Sequence, residues 1–353
     1  MARTDTPSSP GPDVPDVGGD SAQISAWIKQ GVFLALAVTA IYLFSPQILE
    51  FVSSAERIRT IRPGWFVVMV ALELASFMCV WWLIRIVLPD VSWFVAATSQ
   101  LVANAVSRIF GGAASGGATL YRMLSVSGVG QAEAGGALAA TSILSTAALF
   151  AIPATGFLMA LLGAPVPEAL WPAAVAGGVL FVLLVVFGWL ALSFDRPLQT
   201  LGRALDRVTQ SLAARFNRTW SVKPDRLIEE RDRLVEVLGP RWIRAVTAAA
   251  LNWAFDYLAL VAALYAVGAD PRLSLVLLAY AGAAVLAMIP ITPGGLGFVE
   301  AGLWWLLVVS GISSQNALLA TAAWRFVSLW LPILCGPPAL LAHRWRFRPT
   351  PAD

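Results

Sequence analysis

Six charged side chains, Glu73, Arg108, Arg122, Asp256, Glu300 and Arg325, stand in or beside long apolar runs. If those runs cross a bilayer, a charge at the centre of a helix costs about 2.5–3.5 kcal/mol on a translocon-insertion scale, so something must offset it. Two chemistries would do so. The arginines could attract a phosphate inside a polar cavity, aided by glycine-rich backbone and helix N-termini that offer N–H donors. Alternatively, ion pairs such as Arg325 with Glu300 or with Asp256 would hold helices together without binding anything. The residues expected to bind a ligand are Arg108, Gly116, Gly117, Arg122, Pro293, Gly294, Gly295, Glu300 and Arg325, with Glu73, Asn252 and Asp256 as further lining of a polar cavity.

Other chemistries find little support. Cys79 and Cys335 are isolated within apolar sequence, as small buried hydrophobes are. The single histidine, His343, sits among Arg344, Arg346 and Arg348, where a basic interfacial anchor is the ordinary reading. Arg85, near the end of an apolar run, is expected to snorkel. There is no recognisable pair of aspartates for a metal-bound nucleotide and no nucleophile with a base, so neither an enzyme nor a metal or cofactor site is expected.

The elements that must position these charges are membrane helices. The chain is 58% apolar and 13% charged, with 15 Trp and a mean hydropathy of +0.74, outside the range of soluble domains. About 20 apolar residues cross a bilayer core. Residues 31–49, 137–162 and 171–194 are that long and uncharged, while 65–88, 245–267 and 317–342 carry isolated charges. Trp27, Trp65, Trp93, Trp171, Trp189, Trp242 and Trp345 fall near span ends, as an aromatic belt requires. The first 23 residues, with four Pro, four Asp and three Gly, read as a disordered tail and a poor signal peptide. Residues 195–244 hold 11 of the 24 Lys and Arg against seven acids, so the positive-inside rule makes them cytoplasmic. The net charge of +3 is explained by such loops, and nucleic-acid binding has no support. Leu198, Leu201, Leu205, Val208, Leu212 and Phe216 recur at helical spacing and predict an amphipathic helix, with a second helical run over 225–238.

An internal repeat organises the rest. The span at 65–88 is followed by a turn at Pro89-Asp90, a glycine-broken segment FGGAASGGATLYRML from Phe110, and the span at 137–162. The span at 245–267 is followed by a turn at Asp270-Pro271, the segment PITPGGLGFVEAGL from Pro290, and the span at 317–342. From the first span to the glycine pair is 51 residues in one copy (65 to 116) and 49 in the other (245 to 294). Glycine and proline at membrane depth free backbone groups that lipid cannot satisfy, so such breaks persist only where protein or a wet cavity surrounds them.

The expected fold is therefore an all-α polytopic bundle with two glycine-broken re-entrant hairpins in inverted repeats. Its parts are a tail at 1–23, a first half at 24–194 with hairpin 92–124, a cytoplasmic segment at 195–244, a second half at 245–343 with hairpin 273–311, and a tail at 344–353. Both termini are then cytoplasmic, and residues 50–63 and 163–170 face outward. Arg57, Arg59 and Arg62 oppose that count, since they would lie outside. A single crossing at 92–121 would reverse it. Gly112 and Gly116 also fit a small-xxx-small packing pattern, a competing account of the first cluster.

The stretch PITPGGLGFVEAGL, with Pro290, Pro293, Gly294, Gly295, Gly297 and Glu300 together, resembles the signature of the lysylphosphatidylglycerol synthase membrane-region family of flippase-like proteins. The resemblance extends from about 31 to 342 in span count and in the placing of both breaks. That family carries a glycine–glutamate pair ahead of the arginine in its first break. Here Ala118 and Thr119 stand in those positions, with Arg122 present. The resemblance implies translocation of a phospholipid or polyprenyl-phosphate-linked lipid across a bacterial inner membrane, with membrane lipids as partners. The residues after 348 leave no room for the soluble domain that makes aminoacyl lipid in bifunctional members, so no such synthesis is expected. Two alternatives stand beside transport: a membrane partner or subunit of a lipid-modifying or glycosyltransferase enzyme, and a regulatory protein using the basic 195–244 segment.

Overall fold

A computed structural model describes residues 63–110, 112–161, 171–215, 239–287, 295 and 297–347, together with 228, 229, 231, 232, 235, 236 and 238. These belong to one compact unit, Glu56–Asp353. The tails, the apolar run at 31–49, and Pro293 and Gly294 lie outside the described residues.

Ten helices carry the described chain. The first copy of the repeat comprises α1 (Pro63–Val87), α2 (Trp93–Phe110), α3 (Ala113–Val126) and α4 (Gln131–Leu161). Helices α5 (Trp171–Ser193) and α6 (Asp195–Arg215) follow. The second copy comprises α7 (Trp242–Ala266), entered through a 3₁₀ turn at Gly239–Arg241, then α8 (Leu273–Leu286), α9 (Phe298–Val309) and α10 (Ser314–Arg346). There is no strand among the described residues. Four helices are long and apolar enough to cross a membrane: Gly64–Val87, Gln131–Thr155, Gly239–Ala266 and Ser314–Arg346. The chain turns by 111° between 181–190 and 195–204, so α5 and α6 pass the same test only as a bent pair. Arg231 bonds Asp195 at 2.8 Å and Asp232 at 2.6 Å, tying the second polar run to the start of α6.

The helix contacts repeat under the exchange of the two copies. α1 packs on α7; α2 on α10 as α8 does on α4; α2 on α3 as α8 does on α9; and α3 on α4 as α9 does on α10. The central pair is antiparallel. Trp65 at the start of α1 stacks on Tyr265 at the end of α7, with ring centroids 5.5 Å apart. Leu83 and Ile86 at the end of α1 pack with Ala245, Ala248 and Ala249 at the start of α7. Two crossing helices that are repeat equivalents and run in opposite directions make the repeats inverted.

The first glycine break is the tip of a helical hairpin made by α2 and α3; α8 and α9, either side of the second break, also pack on each other as two legs. Gly112 turns the first with φ of +96°, a conformation that disfavours any residue with a Cβ. Its legs close at Gly116, where a Cβ would stand 2.9 Å from Ser107 Cβ and 3.0 Å from the Ala103 carbonyl oxygen. In the second hairpin, Leu306 fills the space beside Gly282 and Leu286 the space beside Gly302. Helices α3, α8 and α9 have 14, 14 and 12 residues, about 21, 21 and 18 Å at the helical rise, shorter than the bilayer core.

The hairpins enter from opposite ends of the bundle. Val91 and Val129, flanking the first, share a cluster with Leu88, Leu238 and Phe347. Ser310 Oγ, just after α9, donates to the Leu275 carbonyl near the start of α8 at 3.3 Å, closing the mouth of the second hairpin at the end that holds Tyr265 and Ala269. The first mouth is tied by His343, which departs from the expected interfacial anchor. The residue is 3% exposed, with Nδ1 2.8 Å from Thr98 Oγ1 on α2 and Nε2 3.2 Å from Ser127 Oγ after α3. Because α10 continues to Arg346, position 343 falls on the face packed against α2, and only Arg344, Trp345 and Arg346 beside it are exposed.

Two outcomes follow from this packing. With cysteines introduced singly in a cysteine-free background, Asp90→Cys and Asp270→Cys, both exposed turn positions, should label from opposite sides of the membrane. Labelling from the same side would contradict the antiparallel α1–α7 pair. At the α2–α10 contact a Cβ on Gly336 would stand 2.4 Å from Ala105 Cβ, whereas one on Gly135 in α4 meets nothing within 4 Å. Gly336→Ala should lower the thermal midpoint in detergent, by an overpacking cost of about 1–3 kcal/mol, and Gly135→Ala should not; equal behaviour would show that α2 and α10 do not meet this closely.

Candidate functional site

Helices of both copies enclose a cavity of about 510 Å³, within the range of small-molecule sites. Its polar wall is supplied by several helices. α1 brings Glu73 and Ser76; α2 brings Gln100, Asn104, Ser107 and Arg108; α3 brings the backbone of Gly116 and Gly117. α4 adds four hydroxyls, Thr141, Ser142, Ser145 and Thr146. From the second copy come Asn252, Trp253 and Asp256 on α7, Tyr280 on α8, and Trp324, Arg325 and Ser328 on α10, with Val299 of α9 beside them.

Hydrogen bonds fix these groups across helices. Asn252 Nδ2 donates to Ser76 Oγ at 2.7 Å and to the Ser76 carbonyl at 3.2 Å, locking the middle of the α1–α7 crossing. Trp253 Nε1 donates to the Ser145 carbonyl at 2.9 Å, joining α7 to α4. Both oxygens of Asp256 accept a bond, Oδ2 from the Tyr280 hydroxyl and Oδ1 from Trp324 Nε1 at 3.2 Å. Glu73 is 3% exposed and lines the same cavity as Asp256. Its Oε2 has no partner among the described residues.

The two cavity arginines differ. Arg325 Nε donates to Glu300 Oε1 at 2.6 Å, with both side chains largely buried at 9% and 14% exposure. Glu300 stands in the first turn of α9, where the helix dipole favours a negative charge, and it is not among the lining residues. It therefore holds Arg325 from behind. Gly295, with φ of +71°, leaves room at this pair: a Cβ there would come within 3.9 Å of Arg325 Nη2. Arg108, in the last turn of α2, has no ion pair or hydrogen bond among the described residues. Four residues on, the N-terminus of α3 is headed by Gly112 without a side-chain cap; that of α9, headed by Gly297, is also uncapped. An arginine next to an uncapped helix N-terminus is suited to an anion.

Of the residues singled out in the sequence, Glu73, Arg108, Gly116, Gly117, Asn252, Asp256 and Arg325 share this cavity, with Gly295 and Glu300 packed at Arg325. Arg122 does not. It is exposed on α3 and lines no part of the cavity. Gly116, Gly117 and Leu120 turn one face of α3 inward, and a residue two places beyond Leu120 points about 200° away. Arg85 also does more than snorkel: its Nε donates to the Val91 carbonyl at 2.9 Å, and its guanidinium lies 4.9 Å from the Trp93 ring centre. Sequence reading named Arg108 but missed the rest of the polar stripe of α2, although Gln100, Asn104 and Ser107 fall at helical spacing with it in an otherwise apolar run. It also missed the α4 hydroxyls, paired at 141/145 and 142/146 inside an uncharged span.

Apolar spans arranged as inverted halves around a charged internal cavity define a polytopic helical membrane protein. The chain belongs to the family described as the lysylphosphatidylglycerol synthase TM region, whose profile matches residues 32–336. None of the curated proteins compared with it matches.

The buried Glu300–Arg325 pair supplies a test of the site's construction. Removing one partner leaves a buried charge uncompensated, at a cost of about 3–5 kcal/mol, whereas removing both can be nearly neutral. Glu300→Gln should lower the thermal midpoint clearly, and Glu300→Gln combined with Arg325→Met should recover much of the loss. Additive losses in the double variant would mean that the two side chains are not coupled.

Proposed function

We propose that this protein moves a phosphate-bearing lipid headgroup, of phospholipid or polyprenyl-phosphate type, across the bacterial inner membrane. The headgroup passes through the cavity while its tails stay in the lipid, and no covalent chemistry is performed. The observation that carries this reading is Arg108: a cavity-lining arginine with no ion pair among the described residues, four residues before the uncapped N-terminus of α3. Membership of a family named for the membrane region of a lipid-modifying protein supports a lipid as the cargo.

The inverted hairpins support the same reading, because transporters of this architecture bind cargo where broken helices from two halves meet near the midplane. In this proposal both hairpins are re-entrant, each too short in at least one leg to cross. The end of the bundle bearing Arg85, Arg241, Arg244, Arg344 and Arg346 is taken as cytoplasmic by the positive-inside rule. The C terminus, following α10, then lies inside, as does the basic 195–244 segment, and the N terminus is assigned to the same side.

The test is movement of fluorescent phosphatidylglycerol between leaflets of vesicles containing the purified protein. A charge-assisted hydrogen bond contributes about 1.5–3 kcal/mol, so Arg108→Gln should slow movement by roughly tenfold or more. Arg122→Gln, outside the cavity, should leave it near the wild-type rate. Wild-type protein that moves no lipid would refute transport and favour the membrane partner of a lipid-modifying enzyme, with the basic, amphipathic α6 as its docking surface.

A further inference from the structure

We infer that Glu73 and Asp256 form a proton-binding pair, and that occupation of the cavity by a phosphate is linked to uptake of one proton at Glu73. The inference rests on the lipid reading of the same cavity and adds to it a co-substrate. Asp256 has a donor on each oxygen, the Tyr280 hydroxyl and Trp324 Nε1. Glu73 has no such donors among the described residues. It is 3% exposed, lines the cavity, and presents an oxygen without a partner among the described residues. Two carboxyls lining one enclosed cavity repel each other when both are ionised, so the pair takes up a proton more readily than either acid alone. The donor arrangement assigns that proton to Glu73.

The groups facing this pair close the argument. Arg108 faces it from α2, Tyr280 from α8, and Arg325 from α10 with Glu300 of α9 bonded to it. The lining residues of α3 and α4 carry no ionisable group, and neither does the sequence of 288–294 at the second tip. Three acids against two arginines leave the site with a net charge of −1 when all are ionised, which repels a phosphate. One proton on Glu73 brings the site to neutrality. Conversely, ionised Glu73 is stabilised by Arg108 while Arg108 is unoccupied. A phosphate bound at Arg108 withdraws that support and draws a proton onto Glu73. By linkage the effect is reciprocal: a protonated Glu73 strengthens phosphate binding.

Binding of dioctanoyl phosphatidylglycerol to the full-length protein in nanodiscs tests this, because its phosphodiester does not titrate in the working pH range. Trp253 and Trp324 in the cavity wall provide a fluorescence signal. Affinity should tighten as pH falls, by up to about tenfold per pH unit for one linked proton. Calorimetry in two buffers of different ionisation enthalpy should show net proton uptake by the wild type. Glu73→Gln mimics the protonated acid, so it should bind at high pH as the wild type does at low pH, with a flat profile and no uptake. Dimethyl phosphate, the same charge without tails, should bind more weakly with the same slope; binding as tight as the lipid's would overturn a lipid as the occupant.

Lipid binding with a flat wild-type pH profile and no proton uptake would overturn the linkage and leave the transport reading standing. A slope that survives in a folded Glu73→Gln variant would overturn the assignment to Glu73. Affinity that follows sodium at fixed pH would overturn the proton as the ion. Failure of the wild type to bind the lipid at any pH would overturn both readings together.

Discussion

Two carboxyls, the buried Glu73 on α1 and the half-buried Asp256 on α7, line one cavity where antiparallel helices cross in an apolar bundle, and the surrounding structure serves to make that arrangement tolerable. An acid at membrane depth costs several kcal/mol unless it meets donors, opposite charge or water. The crossing supplies donors from three helices: Asn252 locks the register at Ser76, and Tyr280 and Trp324 reach Asp256 from α8 and α10. The same constraint explains why the hairpins are where they are. A broken backbone would be unsatisfied against lipid, and α3, which follows the first break, turns Gly116 and Gly117 onto the cavity instead.

The hairpins are held differently, and the difference follows from side-chain size. The first is clamped to α10 by contacts that exclude any larger residue, Gly336 against Ala105 at one level and His343 bridging Thr98 and Ser127 at another. The second is held within itself, leucines from each leg filling space beside a glycine of the other. Its helices α8 and α9 are almost wholly apolar, and its polar ties to the rest of the bundle include the Tyr280–Asp256 bond from α8 and the Glu300–Arg325 pair from α9.

Much of this was legible in the sequence because membrane depth leaves few options. The near-equal spacing from span to glycine break exposed the repeat, and a glycine–proline cluster within apolar sequence exposed the hairpin tips. Arg325 and Glu300 could be proposed as a pair for the same reason: a buried arginine needs a carboxylate. What stayed hidden depends on rotation and register. Arg122 adjoins the first break in sequence but turns away from it, because the inward face of α3 is set by Gly116, Gly117 and Leu120. His343 sits in a run of arginines yet points inward, since α10 continues past it. Pairing Glu73 with Asp256 requires the register of the α1–α7 crossing, which no local pattern encodes.

The scaffold is symmetric but its chemistry is not. α2 carries Gln100, Asn104, Ser107 and Arg108, whereas its counterpart α8 lines the cavity with Tyr280 and alanines. α10 carries Arg325 where its counterpart α4 offers only hydroxyls, and α9 has Glu300 where α3 has no acid. Both cavity arginines thus lie on α2 and α10, which pack against each other, one bonded to a carboxylate and the other not. Two identical inverted halves could exchange conformations at no cost, giving arrangements of equal energy facing either side. Here the exchange would carry Arg325 of α10 into the hydroxyl-lined environment of α4, and Arg108 of α2 into that of Tyr280 on α8, so the two arrangements differ in energy. A bias of that kind is fixed by the protein, and only a ligand or proton with unequal affinity for the two arrangements can move it.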